Sequence, residues 1–128
     1  MNSESNPAMV LVPLIENEPG SKTDHPRMLP FPAEIAGEAT GAYLIPGPSP
    51  GRRQYVLVNY HRIAGLDDLV LFYHPPWRRY LILPLAELPY YLRMADPQFD
   101  RRGPAYLEDM HLGTVVAVCQ KIDQEDEH

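Results

Sequence analysis

Residues 55–83 read YVLVNYHRIAGLDDLVLFYHPPWRRYLIL. Three runs in this stretch, 55–60, 69–73 and 80–83, are rich in β-branched and aromatic residues, the side chains that suit a pleated, half-buried surface. Their apolar positions are mostly continuous rather than alternating, which predicts strands covered on both faces. The link His74-Pro75-Pro76-Trp77-Arg78-Arg79-Tyr80 bridges two of these runs and reads as a hairpin tip, stiffened by its two prolines.

Working outward, similar runs at 10–15, 42–45 and 114–119 predict three more strands. The segments ENEPGSKTDHP (16–26), PGPSPGRR (46–53) and ADPQFDRRGP (95–104) are built from turn formers and read as loops. Residues 86–94 allow one short helix, with Pro89 leaving only a turn or so on either side. Fifteen prolines in 128 residues argue against long helices. The expectation is a mainly β fold with at most one or two short helices. It occupies one domain over 9–122, between a disordered lead (1–8) and an acidic tail (123–128).

The composition excludes several classes. No run of about 18 apolar residues is present, so no membrane-spanning helix is expected, and the N-terminus lacks the layout of a secretory signal. The single cysteine, Cys119, cannot form an internal disulfide and fits a reducing cytoplasm. Net charge is −6, unevenly spread: residues 52–102 carry eight arginines against five acids, whereas both flanks are acidic. An Arg-bearing middle in an acidic chain would serve an anionic partner locally, or only solubility.

With the strands placed, the order of short motifs resembles the C-terminal domain of the LexA/UmuD-type self-cleaving serine peptidases, the signal-peptidase-like β-fold. The carrying pieces are Val12-Pro13-Leu14, Leu29-Pro30-Phe31-Pro32-Ala33-Glu34, Gln54-Tyr55-Val56-Leu57-Val58-Asn59, Asp67-Asp68-Leu69-Val70-Leu71, Tyr80-Leu81-Ile82-Leu83 and Gly113-Thr114-Val115-Val116-Ala117-Val118. They follow the family order over most of residues 10–120. The resemblance implies a compact sheet assembly and pairing of two copies.

The family's chemistry needs a serine and a lysine able to take its proton. Two alignments place the nucleophile position either at Tyr43 or near Ser49, and Ile82 stands about where the lysine belongs. Arg78 and Arg79 are close to it in sequence, but a guanidinium does not give up its proton at physiological pH. Pro19-Gly20 stands at roughly the scissile place. The expectation is a degenerate peptidase domain with no catalytic residue.

Five histidines (His25, His61, His74, His111, His128) are scattered without the spacing of a local metal site, so neither a metal nor a cofactor is expected. Cys119 reads as a small core residue, and Val116 and Val118 as core positions of the last strand. The stretch around the hairpin tip remains as the binding candidate: Trp77, Arg78 and Arg79, flanked by His74 and Tyr80. Trp and Arg concentrate binding energy in protein interfaces, and they also stack on nucleobases. The leading expectation is a cytoplasmic, non-catalytic module that binds a protein partner, such as a repressor, a stress-response factor or a phage or mobile-element regulator. The alternative is a nucleic-acid-binding accessory protein using the same tip.

Overall fold

The computed structural model describes residues 8–15, 27–47, 49–103 and 105–120. The fold is mainly β. Seven strands, β1 (Met9–Ile15), β2 (Met28–Pro32), β3 (Gly41–Pro46), β4 (Arg53–Asn59), β5 (Leu69–His74), β6 (Arg79–Pro84) and β7 (His111–Gln120), join in the order β2-β1-β3-β4-β7-β5-β6. The sheet is mixed. β1 pairs antiparallel with β2 and parallel with β3, and β5 pairs antiparallel with both β6 and β7. Three short helices accompany it: α1 (Ala33–Ala36), α2 (Leu88–Ala95) and α3 (Tyr106–Met110).

All six expected strands form, each within a few residues of its expected ends. The seventh, β2, was hidden by Pro30 and Pro32. Proline cannot donate to a strand ladder, but β2 is an edge strand, where the missing N–H need have no partner. Helix α2 also corrects the sequence reading. Pro89 falls in the first turn, where an N–H has no intrahelical acceptor, so it starts the helix rather than interrupting it. Among the described residues there are three short α-helices where one or two were expected.

The described residues divide into two compact units, one comprising residues up to Leu57 together with those from Val116, the other Val58–Val115. In the first unit, β1 alternates as a pleated strand should: Val12 and Leu14 are buried while Met9 and Leu11 are exposed. The buried side meets Phe31 of β2, Ala36 of α1, Ala42 of β3 and Leu57 of β4. Phe31 and Tyr55 close this core edge to face, with centroids 5.6 Å apart. Cys119 is half-buried against it, near-core as expected, and burial pushes its thiol pKa up. Val118 is a correction: its side chain is 47% exposed, so Val116, which packs on the core, carries the burial there.

In the second unit, β5 is buried from Val70 to His74 without alternation, as its continuous apolar sequence predicts. Val70 and Phe72 pack with Leu81 of β6 and with Leu88 and Leu92, one turn apart on α2. Gly113 of β7 lies at φ 151°, beside the irregularity where the β5–β7 register shifts between Leu71 and Phe72. A Cβ at Gly113 would stand 2.9 Å from Cβ of Val58, so only glycine fits.

Two glycine substitutions test this placement. Gly51 (φ 76°) has open space where a Cβ would go, so Gly51→Ala should cost only backbone strain, about 1–2 kcal/mol. Gly113→Ala adds a steric overlap with Val58 and should cost roughly 3 kcal/mol or more, since a packed interior yields little. Urea midpoints of the two variants measure the difference; equal costs would contradict the β4–β7 approach at Gly113.

Candidate functional site

The tip between β5 and β6 is built to a fixed shape. After His74 the chain makes one 3₁₀ turn, Pro75–Trp77, in which the proline rings set φ. Arg78 then takes a left-handed conformation (φ 51°, ψ 46°), and its N–H donates to the Pro75 carbonyl at 3.0 Å. Among the described residues Arg78 is the one non-glycine residue at positive φ. Glycine or asparagine ordinarily holds such a corner, and a longer side chain there costs about 1–2 kcal/mol. Arg79 opens β6, directly across the ladder from His74.

The five tip residues divide by role. Arg78 and Arg79 are exposed, and neither has an ion-pair partner among the described residues. Trp77 is half-buried: it packs on the core cluster of its unit and stands edge-on against His74, with ring centroids 4.2 Å apart at 80°. Tyr80 is half-buried on Tyr73, with centroids 5.0 Å apart. His74 is fully buried, which corrects the expectation that it faces a partner. The tip thus displays two guanidinium groups, and the aromatic residues hold it from below.

Beneath the tip lies a polar cluster that the sequence reading did not anticipate. Nδ1 of His74 is 2.7 Å from the Tyr106 hydroxyl on α3. On the ring's other side, Nε2 is 3.3 Å from Oδ2 of Asp96 at the end of α2, too poorly aligned for a hydrogen bond, and Nε2 has no other partner. Asp96 is held from behind: Arg102 donates from Nε to Oδ2 at 2.8 Å and from Nη2 to Oδ1 at 3.3 Å, and the Gln98 N–H donates to Oδ1 at 3.0 Å. The Arg102 guanidinium also lies over the Tyr106 ring, 5.4 Å from its centroid. A tyrosine hydroxyl donating to Nδ1 puts the ring hydrogen on Nε2, facing the carboxylate, and this tautomer suits both neighbours.

The electrostatics follow from burial. Loss of hydration pushes the His74 pKa below its usual 6.5, with Asp96 pulling it back up and Arg102 pushing it further down. The Arg102 hydrogen bond holds the Asp96 carboxyl below the usual carboxylate range against the opposing effect of burial. Burial raises the Tyr106 hydroxyl. A neutral imidazole shut away from solvent, with a phenol and a carboxylate as neighbours, can clamp residues 96–106 to the hairpin base. It is not placed to touch a substrate.

The positions singled out by the peptidase resemblance fall on separate elements. Tyr43 is buried in β3, Ser49 is exposed in the turn between β3 and β4, and Ile82 is half-buried in β6 opposite Leu71. Pro19, Gly20, Lys22, His25, Lys121 and His128 lie outside the described residues. No group of three or more potential metal ligands occurs among the described residues. His61 and His111 instead border a cleft of about 350 Å³ lined also by Tyr60, Ile63, Leu85 and Leu107. Burial lowers the His111 pKa, and Ile63 at the cleft is 93% exposed.

The cluster gives stability a defined pH dependence. His74 is harder to protonate folded than unfolded, so its contribution is complete above the unfolded value near 6.5 and is lost as pH falls toward the lower folded value. Asp96 is easier to ionise folded, so its contribution is present above the unfolded value of 3.8 and is lost below it. Urea unfolding at pH 7.5, 5.5 and 4.5 should show falling stability. His74→Phe should flatten the upper part of that slope in a His111→Gln background, which removes the other depressed histidine. An unchanged slope would place His74 in water. Comparison with known proteins adds no relative: no family model, no curated protein and no solved structure matches the chain.

Proposed function

We propose that the chain is a non-catalytic interaction module that grips an acidic segment of a protein partner with the tip of the β5–β6 hairpin. The observation that carries this reading is the pairing of display with strain. Two adjacent arginines without an ion-pair partner among the described residues project from a proline-stiffened turn, and the first occupies a backbone conformation that glycine would adopt at less cost. Strain retained at an exposed corner is a mark of a site selected for what it presents. Arginine forks match carboxylates in bidentate geometry, and a fixed tip loses little conformational entropy on binding.

The motif order of the LexA/UmuD-type domains supports a peptidase-like frame whose active positions have become Tyr43 or Ser49 and Ile82. It also suggests the candidate partners: a repressor carrying such a domain, a stress-response factor, or a phage or mobile-element regulator. Nucleic-acid binding at the tip is the weaker alternative. A net charge of −6 opposes broad phosphate affinity, and Trp77 is half-buried against the core of its unit.

Isolation of partners from the native host on immobilised protein, followed by titration of the captured partner, tests the proposal. Arg78→Gln with Arg79→Gln should leave the fold intact and weaken binding at least tenfold; undiminished affinity would refute the reading. Arg78→Gly should separate stability from function. It relieves the left-handed strain, raising stability by up to about 1 kcal/mol, while removing a contact. Trp77→Ala should lower stability by about 2 kcal/mol or more because it strips packing from the tip's base. Tight oligonucleotide binding with a steep salt dependence, lost in the double arginine variant, would favour the alternative.

A further inference from the structure

Trp77 of the tip stands against His74 of the buried cluster, so a surface that displays charge rests on an imidazole whose two nitrogens face a phenol and a misaligned carboxylate. We propose that His74 is a pH-sensitive latch for the tip: neutral and buried, it holds Trp77 and fixes the arginine pair, and once protonated it leaves the cluster and releases the turn. This rests on the reading of the tip as the partner-binding site and adds its regulation.

The groups facing the ring decide which state protonation favours. Tyr106 on α3 meets Nδ1 at 2.7 Å, and Asp96 after α2 lies 3.3 Å from Nε2. Arg102 approaches behind Asp96, Trp77 stands nearly perpendicular against the ring, and Arg79 lies across the ladder with its side chain exposed. A proton added at Nδ1 points at the hydroxyl hydrogen of Tyr106, so the phenol must turn around and become the acceptor. Asp96 is the one group that would welcome an imidazolium. Its oxygens already accept three N–H donors from Arg102 and Gln98, and its contact with Nε2 is misaligned. The buried ring therefore gains too little from Asp96 to offset lost hydration, in keeping with the lowering of its pKa. Water is the better home for the charged ring, and reaching it requires lifting the Trp77 edge.

Between pH 7 and 5 arginine keeps its proton and exposed glutamate stays ionised, so the electrostatic attraction between tip and partner is constant in this range. Loss of binding there belongs to the latch, and one proton limits it to about tenfold per pH unit.

Trp77 is the sole tryptophan, so its emission reports the latch directly. On acidification below pH 6.5 the emission maximum should move to the red and acrylamide quenching should rise, with far-UV circular dichroism unchanged; His74→Phe should show neither change. Flat emission in the wild type, or a shift that persists in His74→Phe, overturns the proposal. Should His74→Phe not fold, the imidazole resonances of wild-type His74 supply the second measurement. Their titration midpoint must coincide with that of the emission change, and a mismatch overturns the latch. A parallel titration with an oligo-glutamate peptide separates the two readings. An emission transition without peptide binding at any pH leaves the latch standing and removes the acidic partner, whereas pH-independent peptide binding removes the latch.

Discussion

An imidazole at the end of β5 that water cannot reach must find its partners inside the protein, and much of the Val58–Val115 unit is arranged around that demand. A buried polar group without partners costs more than most single contacts return. Tyr106 satisfies one nitrogen from α3, and Asp96 approaches the other from the end of α2. Asp96 is itself a buried charge and needs Arg102 and the Gln98 N–H to be tolerable. One histidine thus fixes where residues 96–106 return to the hairpin, and fixes α3 with them. The apolar packing of Phe72 against Tyr106, with centroids 5.9 Å apart, adds to the same junction.

The hairpin tip inherits its shape from this junction. Trp77 stands on the His74 edge, the prolines hold the turn, and the chain re-enters β6 through a left-handed Arg78. A turn that placed glycine at this corner would be less strained but would display one guanidinium fewer. Rigidity below and charge above are the two properties a recognition tip needs, and here the same contact provides the first and can be switched by a proton.

Trp77, a binding candidate by residue type, is half-buried against the core of its unit, and how much of it a partner could meet is where sequence reasoning stops. The residue types in HPPWRRY are those of an interface, and the hairpin position was legible from the flanking apolar runs. Which side of a short turn a tryptophan faces depends on what lies beneath it. Here that is a core of β5, β6 and α2 with α3 packed against it, and the two helices come from beyond the hairpin. Val118 failed for a related reason: it shares a strand face with the packed Val116, but alternation does not tell how far along the strand that face is covered.

The chain's own residues determined the strand-rich fold, the six apolar strands and the hairpin at Pro75-Pro76. All of these depend on local dihedral preferences or on periodicity within a few residues. The sequence did not reveal β2, because an edge position cancels the penalty that prolines carry inside a sheet. Nor did it reveal the joining of His74 with Asp96, Arg102 and Tyr106, groups up to thirty-two positions apart of which Asp96 and Arg102 fall in a segment that reads as loop. Only tertiary packing brings such groups within hydrogen-bonding distance, and only burial makes this imidazole harder to protonate than one in water.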